Sequence, residues 1–424
     1  MVRKIVLRRS AARKVEKQAD RYDNVAGADA SWRTFSAMKD EDFFSSRVQH
    51  LYLYGPVTDE SVDALIADIR AASQSSISPS GMQMSPKPIV LHINSPGGSV
   101  TAAMSMATVF NQTHVPICTM VDGMSASAAT VISVMAPYRV AASPHTFTLV
   151  HQYSTFLYGT QTQLQVQKQI ADEMIATFRD MYLHRTKLKG PQLDELMLRD
   201  LCLDTAVCVR YGILDRVLNV DNRPFLAAYA RQRAEYLTLD ISRLFTKTNW
   251  NSFHLSSCGD VVQRMDEILT QDAANMKPIV VYCTPRCQDE LSEYHWIALA
   301  SRVRALRVPA FSVVDSLVDI WTYVPSLFCT KRYMYEHSII VIDLEYSVSW
   351  GRRLIDIIDN SQLMVRWLQD VLRAKTKLPS SVVDSIGKRP FKFNAREALK
   401  YGLADEIVQL KYHRDVGPRR AAST

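Results

Sequence analysis

Ser127, His151 and the pair Gly97-Gly98 fall within one stretch, residues 89–151, and supply the parts of an acyl-transfer site. A serine hydroxyl becomes a nucleophile when an imidazole takes its proton, and backbone amides can receive the oxyanion that forms. The stretch reads Ile89-Val-Leu-His-Ile-Asn-Ser-Pro-Gly-Gly-Ser-Val, then Asp122-Gly-Met-Ser-Ala-Ser-Ala-Ala, then Phe147-Thr-Leu-Val-His-Gln. Gly97 and Gly98 follow an apolar strand and precede a helix, so their N–H groups can point at a ligand. The Lys-Ser/Thr of a nucleotide loop does not follow them. Ser127 opens an apolar helix, 126–136, at a second strand-to-helix junction, a place that lifts a hydroxyl clear of the fold. His151 ends the next strand. Ser125 is a rival nucleophile two residues earlier, while His92, His114 and His145 read as structural or exposed.

The elements around these residues alternate. A strand at 48–54 is ended by Gly55-Pro56, and a helix at 59–72 carries Val62, Leu65, Ile66 and Ile69 on one face. After a loop at 73–86 come strand 88–93, helix 99–111, strand 117–121, helix 126–136 and strand 147–150. Such alternation predicts a largely parallel sheet covered by helices. The polar stretch Gly159-Thr-Gln-Thr-Gln-Leu-Gln-Val-Gln alternates as an exposed strand would. A long helix to about Lys187 follows, with Met174, Phe178 and Tyr182 packing on one face. Asp200 sits in a turn after helix 191–198. Asp204 caps helix 205–211, Gly212 breaks it, and Ile213–Leu218 returns as a strand. Residues 1–45 lack periodicity and read as a tail or adaptor.

The order then recurs. Lys87-Pro-Ile-Val matches Lys277-Pro-Ile-Val, and Tyr211-Gly-Ile-Leu-Asp matches Tyr401-Gly-Leu-Ala-Asp, both 190 residues apart. Val121-Asp122 matches Val314-Asp315, and the cap Asp204 matches Asn394. An internal duplication explains this economically. The chain divides into a basic tail (1–45), a first unit (46–220), a partly helical linker (221–236), a second unit (237–412) and a basic tail (413–424). The second unit has Pro285-Arg286-Cys287 where the first has Pro96-Gly97-Gly98. By counting, Ser127 falls opposite Ile320, His151 opposite Ile342 and Asp200 opposite Pro390, none of which can do the same chemistry.

Composition narrows the class. A length of 424 residues suggests two domains or more, and a hydrophobic share of 47% with 22% charged residues is that of a globular protein. No apolar run is long enough to span a membrane. The net charge of +7 gathers at the ends: Arg3, Lys4, Arg8, Arg9, Arg13 and Lys14 at one, Lys411, Arg414, Arg419 and Arg420 at the other. The body is close to neutral, which argues against a nucleic-acid face. The basic, acid-poor start also suits an organelle-targeting peptide, mitochondrial or plastid, of an otherwise intracellular protein. Seven scattered cysteines without a CxxC pair suit free thiols.

Residues 46–220 resemble the ClpP family, the proteolytic subunits of ATP-dependent Clp proteases. The resemblance is carried by Ile93-Asn-Ser-Pro-Gly-Gly-Ser-Val, the Gly123-x-x-x-Ser127 turn, Val150-His151-Gln152, Arg199-Asp200 and Tyr211-Gly-Ile-Leu-Asp. It implies two tandem ClpP/crotonase-like β/α repeats, each a mostly parallel sheet covered by helices, with a protruding strand-helix handle. It implies a catalytic Ser127, His151 as its base, Asp200 orienting that base, and the amides of Gly98 and Ala128 as oxyanion hole. The chain departs from the family in having Ala128-Ala129 after the serine, where Met-Gly is usual, and Leu198 before the Arg-Asp pair.

The resemblance further implies a serine endopeptidase acting on unfolded polypeptide through an acyl-enzyme. It implies ring assembly with itself or with ClpP-like paralogues, and an AAA+ unfoldase partner that alone uses ATP. The chain itself is expected to need no cofactor or metal. The main alternative is a catalytically inactive assembly subunit. Ser-Lys signal-peptide peptidases and enoyl-CoA hydratase relatives share glycine turns of this kind, but lack the Val-His-Gln strand end and the Arg-Asp pair.

Overall fold

A computed structural model of the chain describes residues 28–77, 82–153, 158–232, 251–254, 261–262, 265, 277–283, 293–344 and 353–409. Residues 1–27, the tail at 413–424 and Pro285-Arg286-Cys287 lie outside the described residues.

The front half holds helix α1 (Ala28–Ala37), strand β1 (Gln49–Tyr54), helix α2 (Asp59–Ala72) and a small hairpin of β2 (Ser76–Ile77) and β3 (Gln83–Met84). Next come β4 (Ile89–Ser95), α3 (Val100–Gln112), β5 (Ile117–Ala126), α4 (Ala128–Met135), β6 (Arg139–Ala141) and β7 (Phe147–Leu149). Helices α5 (Gln161–Arg185) and α6 (Gly190–Met197) follow, then β8 (Cys202–Asp204), α7 (Thr205–Tyr211) and β9 (Arg216–Val217). Strand order is β1-β4-β5-β6-β9, all parallel; the far end of β5 pairs with β7, and β7 pairs antiparallel with β8.

The chemistry of each segment accounts for its place. Every residue of β4 is buried, as expected of a central parallel strand covered on both faces. In α2 the residues at 62, 65, 66 and 69 are the buried ones, and Thr58 with Ser61 closes a capping box. Asp204 accepts from Val207 N at 2.8 Å, and Gly212 ends α7 at φ 67°. The sequence reading of 159–167 as a strand is corrected: α5 begins at Gln161, because Thr160 and Gln163 cap one another. Residues 28–44 are also not a tail. Phe35, Phe43 and Phe44 are buried against Val90, Met120 and Val140 of the sheet.

The rear half follows a linker helix α8 (Arg223–Gln232). It contains β10 (Asn251–His254), β11 (Ile279–Cys283), α9 (Glu293–Ala305), β12 (Ala310–Val314), β13 (Leu317–Asp319), α10 (Ile320–Tyr323), β14 (Lys331–Tyr335) and β15 (Ile339–Ile342). It ends with α11 (Arg353–Lys375), α12 (Ser380–Val383), β16 (Phe391–Asn394), α13 (Ala395–Lys400) and β17 (Glu406–Val408). Its strand order, β10-β11-β12-β14-β17 with β13-β15-β16 alongside, is that of the front half. Small details recur too. Arg139 grips Asp215 through Nε at 3.0 Å and Asp215 N donates back to Arg139 O at 2.8 Å; Arg332 and Asp405 do the same at 3.0 and 2.8 Å. Gly212 and Gly402 both have φ 67°. Among the described residues no helix is long and apolar enough to cross a membrane.

The halves share an interior. Helix α9 lies across β5 so closely that a Cβ on Gly123 would fall 2.1 Å from Tyr294 O. Gly123 is therefore a contact glycine inside a strand rather than a turn glycine, and β5 runs on past the expected end to Ala126. Arg302 of α9 is fully buried beneath the front sheet. Its guanidinium lies 4.9 Å over the Phe44 ring, 3.7 Å from Asp122 and against His92. His92 Nδ1 is 2.9 Å from Asp122 Oδ2, Tyr54 OH donates to the same oxygen at 2.6 Å, and His50 stands 2.9 Å from His92.

This network has a pH signature. His50 is held well below the ordinary 6.5, first by desolvation, then by His92 and Arg302. Folded His50 stays neutral while the unfolded chain takes up a proton as pH falls below about 6.5, so that stability is present above this value and lost below it. His145, pushed down to about 4 by burial and by Arg304 and Lys375, acts in the same sense. Burial alone would raise Asp122, but Arg302, His92 and Tyr54 bring it below the usual carboxylate value; its share is lost only as pH falls through the carboxylate range. Each such group contributes a slope of about 1.4 kcal/mol per pH unit within its window. Calorimetry between about pH 7 and 5 should show Tm falling on acidification, with a shallower fall in His50→Asn. A Tm independent of pH would contradict the network's role.

Candidate active site

Ser127 is set at the end of β5 by bonds that force a sharp elbow. Its amide donates to Leu149 O at 3.0 Å, and Thr130 Oγ1 donates to Ser125 O and Leu149 O, both at 3.0 Å. The result is a non-glycine residue at φ 53°, ψ −123°, a conformation that costs about 1–3 kcal/mol and persists where surrounding structure enforces it. Ser127 caps α4 without a side-chain cap bond, which leaves its hydroxyl available. Ser125 is fully buried and does not line the cleft described below, which removes it as a rival.

The glycine turn packs against this elbow. At Gly97 (φ 93°) a Cβ would sit 2.6 Å from Ser127 Cβ and 3.0 Å from Ala128 N. At Gly98 (φ 147°) it would sit 2.3 Å from Val57 O. Only glycine allows the two backbones to approach so closely. Val57 brackets the turn, donating to Gly97 O at 2.9 Å and accepting from Ser99 N at 2.7 Å. Among the described residues the Gly98 and Ala128 amides have no acceptor. Ala128 is the first residue of its helix, where an amide has no partner within the helix.

His151, just past β7, directs Nδ1 at Asp200 Oδ1, 2.8 Å away. The two side chains are 19% and 30% exposed, so the pair is reachable from solvent without being fully wet. Gln152 N donates to Met197 O at 3.1 Å, which fixes the turn that carries the imidazole. Ser127, Ala128 and His151 line one cleft of about 410 Å³, walled by Val131, Phe178 and Tyr182. Among the described residues no hydrogen bond joins Ser127 Oγ to His151. Such bonds are often long in a free enzyme and tighten only with substrate.

The surrounding sequence matches known proteins. A family model described as Clp protease matches residues 42–221. The ATP-dependent Clp protease proteolytic subunit 1 of Chlamydia muridarum (strain MoPn / Nigg) is 31% identical over 135 residues, covering 31% of this chain and 70% of that protein. This chain belongs to the Clp protease family. The subunit of the same name from Protochlamydia amoebophila (strain UWE25) is 31% identical over 139 residues, 31% of this chain and 66% of that protein. The Chlamydia pneumoniae one is 32% identical over 135 residues, 31% and 71%. The chain thus spans about two thirds of the length of these relatives.

Within this Clp protease fold, all five residues singled out from sequence lie around one site: Ser127, His151, Asp200, Gly98 and Ala128. What the sequence did not offer is Val57 beside the glycine turn, and the rear-half residues Asp356, Asp359 and Asn360, which bond to the segment carrying Asp200. Their spacing of i, i+3, i+4 marks one helix face, but nothing in it names a target. In the rear half, the register of β13 sets Ile320 opposite Ser127. Ile339 pairs with Asn394 as Phe147 pairs with Asp204, which sets Asp343 opposite His151, one residue beyond the Ile342 reached by counting. The same register sets Pro390 opposite Asp200.

Proposed function

We propose that the chain is a serine endopeptidase subunit of a Clp-type protease, cleaving unfolded polypeptide through an acyl-enzyme at Ser127. The observation that carries this is the 2.8 Å bond from His151 Nδ1 to Asp200, in a cleft shared with a serine on a strained elbow. Asp200 holds the imidazole with Nε2 free to take the Ser127 proton, and then stabilises the imidazolium. The oxygen attacks the scissile carbonyl, and the Gly98 and Ala128 amides receive the oxyanion. His151 gives its proton to the leaving amine, and water repeats the sequence on the ester. Val57 occupies one side of the glycine turn, so an extended substrate adds as a strand on the other. The apolar wall of Val131, Phe178 and Tyr182 suits an apolar side chain beside the scissile bond. No cofactor enters any step.

The repeated strand order and the Arg139–Asp215 and Arg332–Asp405 pairs support a tandem duplication. The rear unit carries Ile320, Asp343 and Pro390 in place of a triad and serves structure. Family resemblance supports a ring of this chain with itself or with paralogues, and an AAA+ unfoldase that spends the ATP.

The turn after the serine, Ala128-Ala129 where the family usually has Met-Gly, favours a second reading, an assembly subunit without turnover. A fluorogenic peptide with an apolar residue before the scissile bond separates the two. The first reading expects release of the fluorophore by the purified chain; assembled chain without any turnover supports the second.

A further inference from the structure

We infer that helix α11 of the rear half holds Asp200 in its working position, with Asp356, Asp359 and Asn360 as positioning residues. This rests on the triad reading above and assigns the rear half a part in it. The segment Arg199–Cys202 runs from α6 into β8; beside the bond from Arg199 N to Leu196 O and the pairing of Cys202 with Leu149, it is bonded from the other half. Asp200 N donates to Asp356 Oδ2 at 3.0 Å. Asn360 Nδ2 donates to Asp200 O at 2.8 Å, while Asn360 Oδ1 accepts from Cys202 N at 2.8 Å. One side-chain amide thus reads the carbonyl of one residue and the amide two residues on, as a neighbouring strand would. Arg199 completes the clamp. Its Nε donates to Asp356 Oδ1 at 2.8 Å and one terminal nitrogen to Asp359 Oδ2 at 2.7 Å.

The arrangement separates two tasks. The Asp200 carboxylate meets His151, and its main chain is held on both sides from α11. Asp356 and Asp359 bring negative charge near a carboxylate that must stay ionised, and the Arg199 guanidinium between them offsets it. Asp356 is only 11% exposed, so its bonds to Arg199 and Asp200 are sheltered from water. A carboxylate that orients a base has to be placed within about 0.5 Å, and a misplacement of about 1 Å can lower rate 100-fold. None of the three residues lines the cleft, so a fault here falls on kcat and spares KM.

The test uses the full chain with Asn360→Ala, the conservative Asp356→Asn, and Arg366→Ala on an exposed part of the same helix. Two readouts are taken: steady-state kinetics on a fluorogenic peptide, and hydrogen–deuterium exchange of peptides covering 199–202. Asn360→Ala should lower kcat about 10- to 100-fold with KM within about twofold, and exchange at 199–202 should quicken about tenfold or more. Asp356→Asn keeps one acceptor oxygen but sets an NH2 against either Arg199 Nε or Asp200 N, so it should move both readouts in the same direction as Asn360→Ala, and Arg366→Ala should change neither. Unchanged exchange at 199–202 in Asn360→Ala overturns the inference whether or not the chain turns over peptide. Faster exchange with unchanged kcat also overturns it, since α11 would then hold a segment that catalysis does not need. A parent chain without turnover counts against the proposed chemistry alone, and the exchange result then decides the clamp.

Discussion

Ser127→Ala should lower kcat for peptide hydrolysis on the order of a million-fold, and His151→Ala by a similar factor. Asp200→Asn should cost about ten thousand-fold, because the imidazole then rests in the wrong tautomer. The three residues act as one relay, so a double variant should lose little more than either single one. KM should change little, since Val131, Phe178 and Tyr182 still line the cleft. Ser127→Ala keeps a Cβ in the same positive-φ elbow, so the folded state should be no less stable than the parent. Turnover within tenfold of the parent in Ser127→Ala, measured with the same peptide, would contradict the assignment.

Arg302→Leu should destabilise the chain by about 3–5 kcal/mol, the usual cost of leaving a buried charge without its partner. Asp122 and Arg302 are both fully enclosed, and Arg302 comes from the other half of the chain. Without it, Asp122 keeps its contacts with His92 and Tyr54 but loses the cation that offsets its burial. Asp122→Asn in the same chain should recover part of the loss, because a neutral amide needs no counter-charge. Urea denaturation would measure both, and a loss under about 1 kcal/mol for Arg302→Leu would show that the halves dock without this pair.

Much of this was legible because the relevant signals are local. Val62, Leu65, Ile66 and Ile69 write a helix face, and Asp204 and Gly212 punctuate their helix through bonds to near neighbours. The triad positions stand out because strand ends and helix starts gather at one edge of a parallel sheet. What escaped depends on distant partners. Gly123 resembled a turn residue until Tyr294 O was found resting on it. The Gln-rich stretch at 161–167 alternates like a strand, but its capping box with Thr160 and the helix that follows settle it as helix. Phe35, Phe43 and Phe44 lack helical spacing, yet they cover a sheet that nothing nearby in sequence announces. Asp356, Asp359 and Asn360 form an ordinary polar helix face until Arg199 lies against it.

The most direct measurement is to treat the purified chain with a fluorophosphonate and map the adduct by tandem mass spectrometry. The account predicts one modified residue, Ser127, with labelling lost in Ser127→Ala and strongly slowed in His151→Ala. An adduct on another residue, or labelling of Ser127→Ala equal to the parent's, would contradict it.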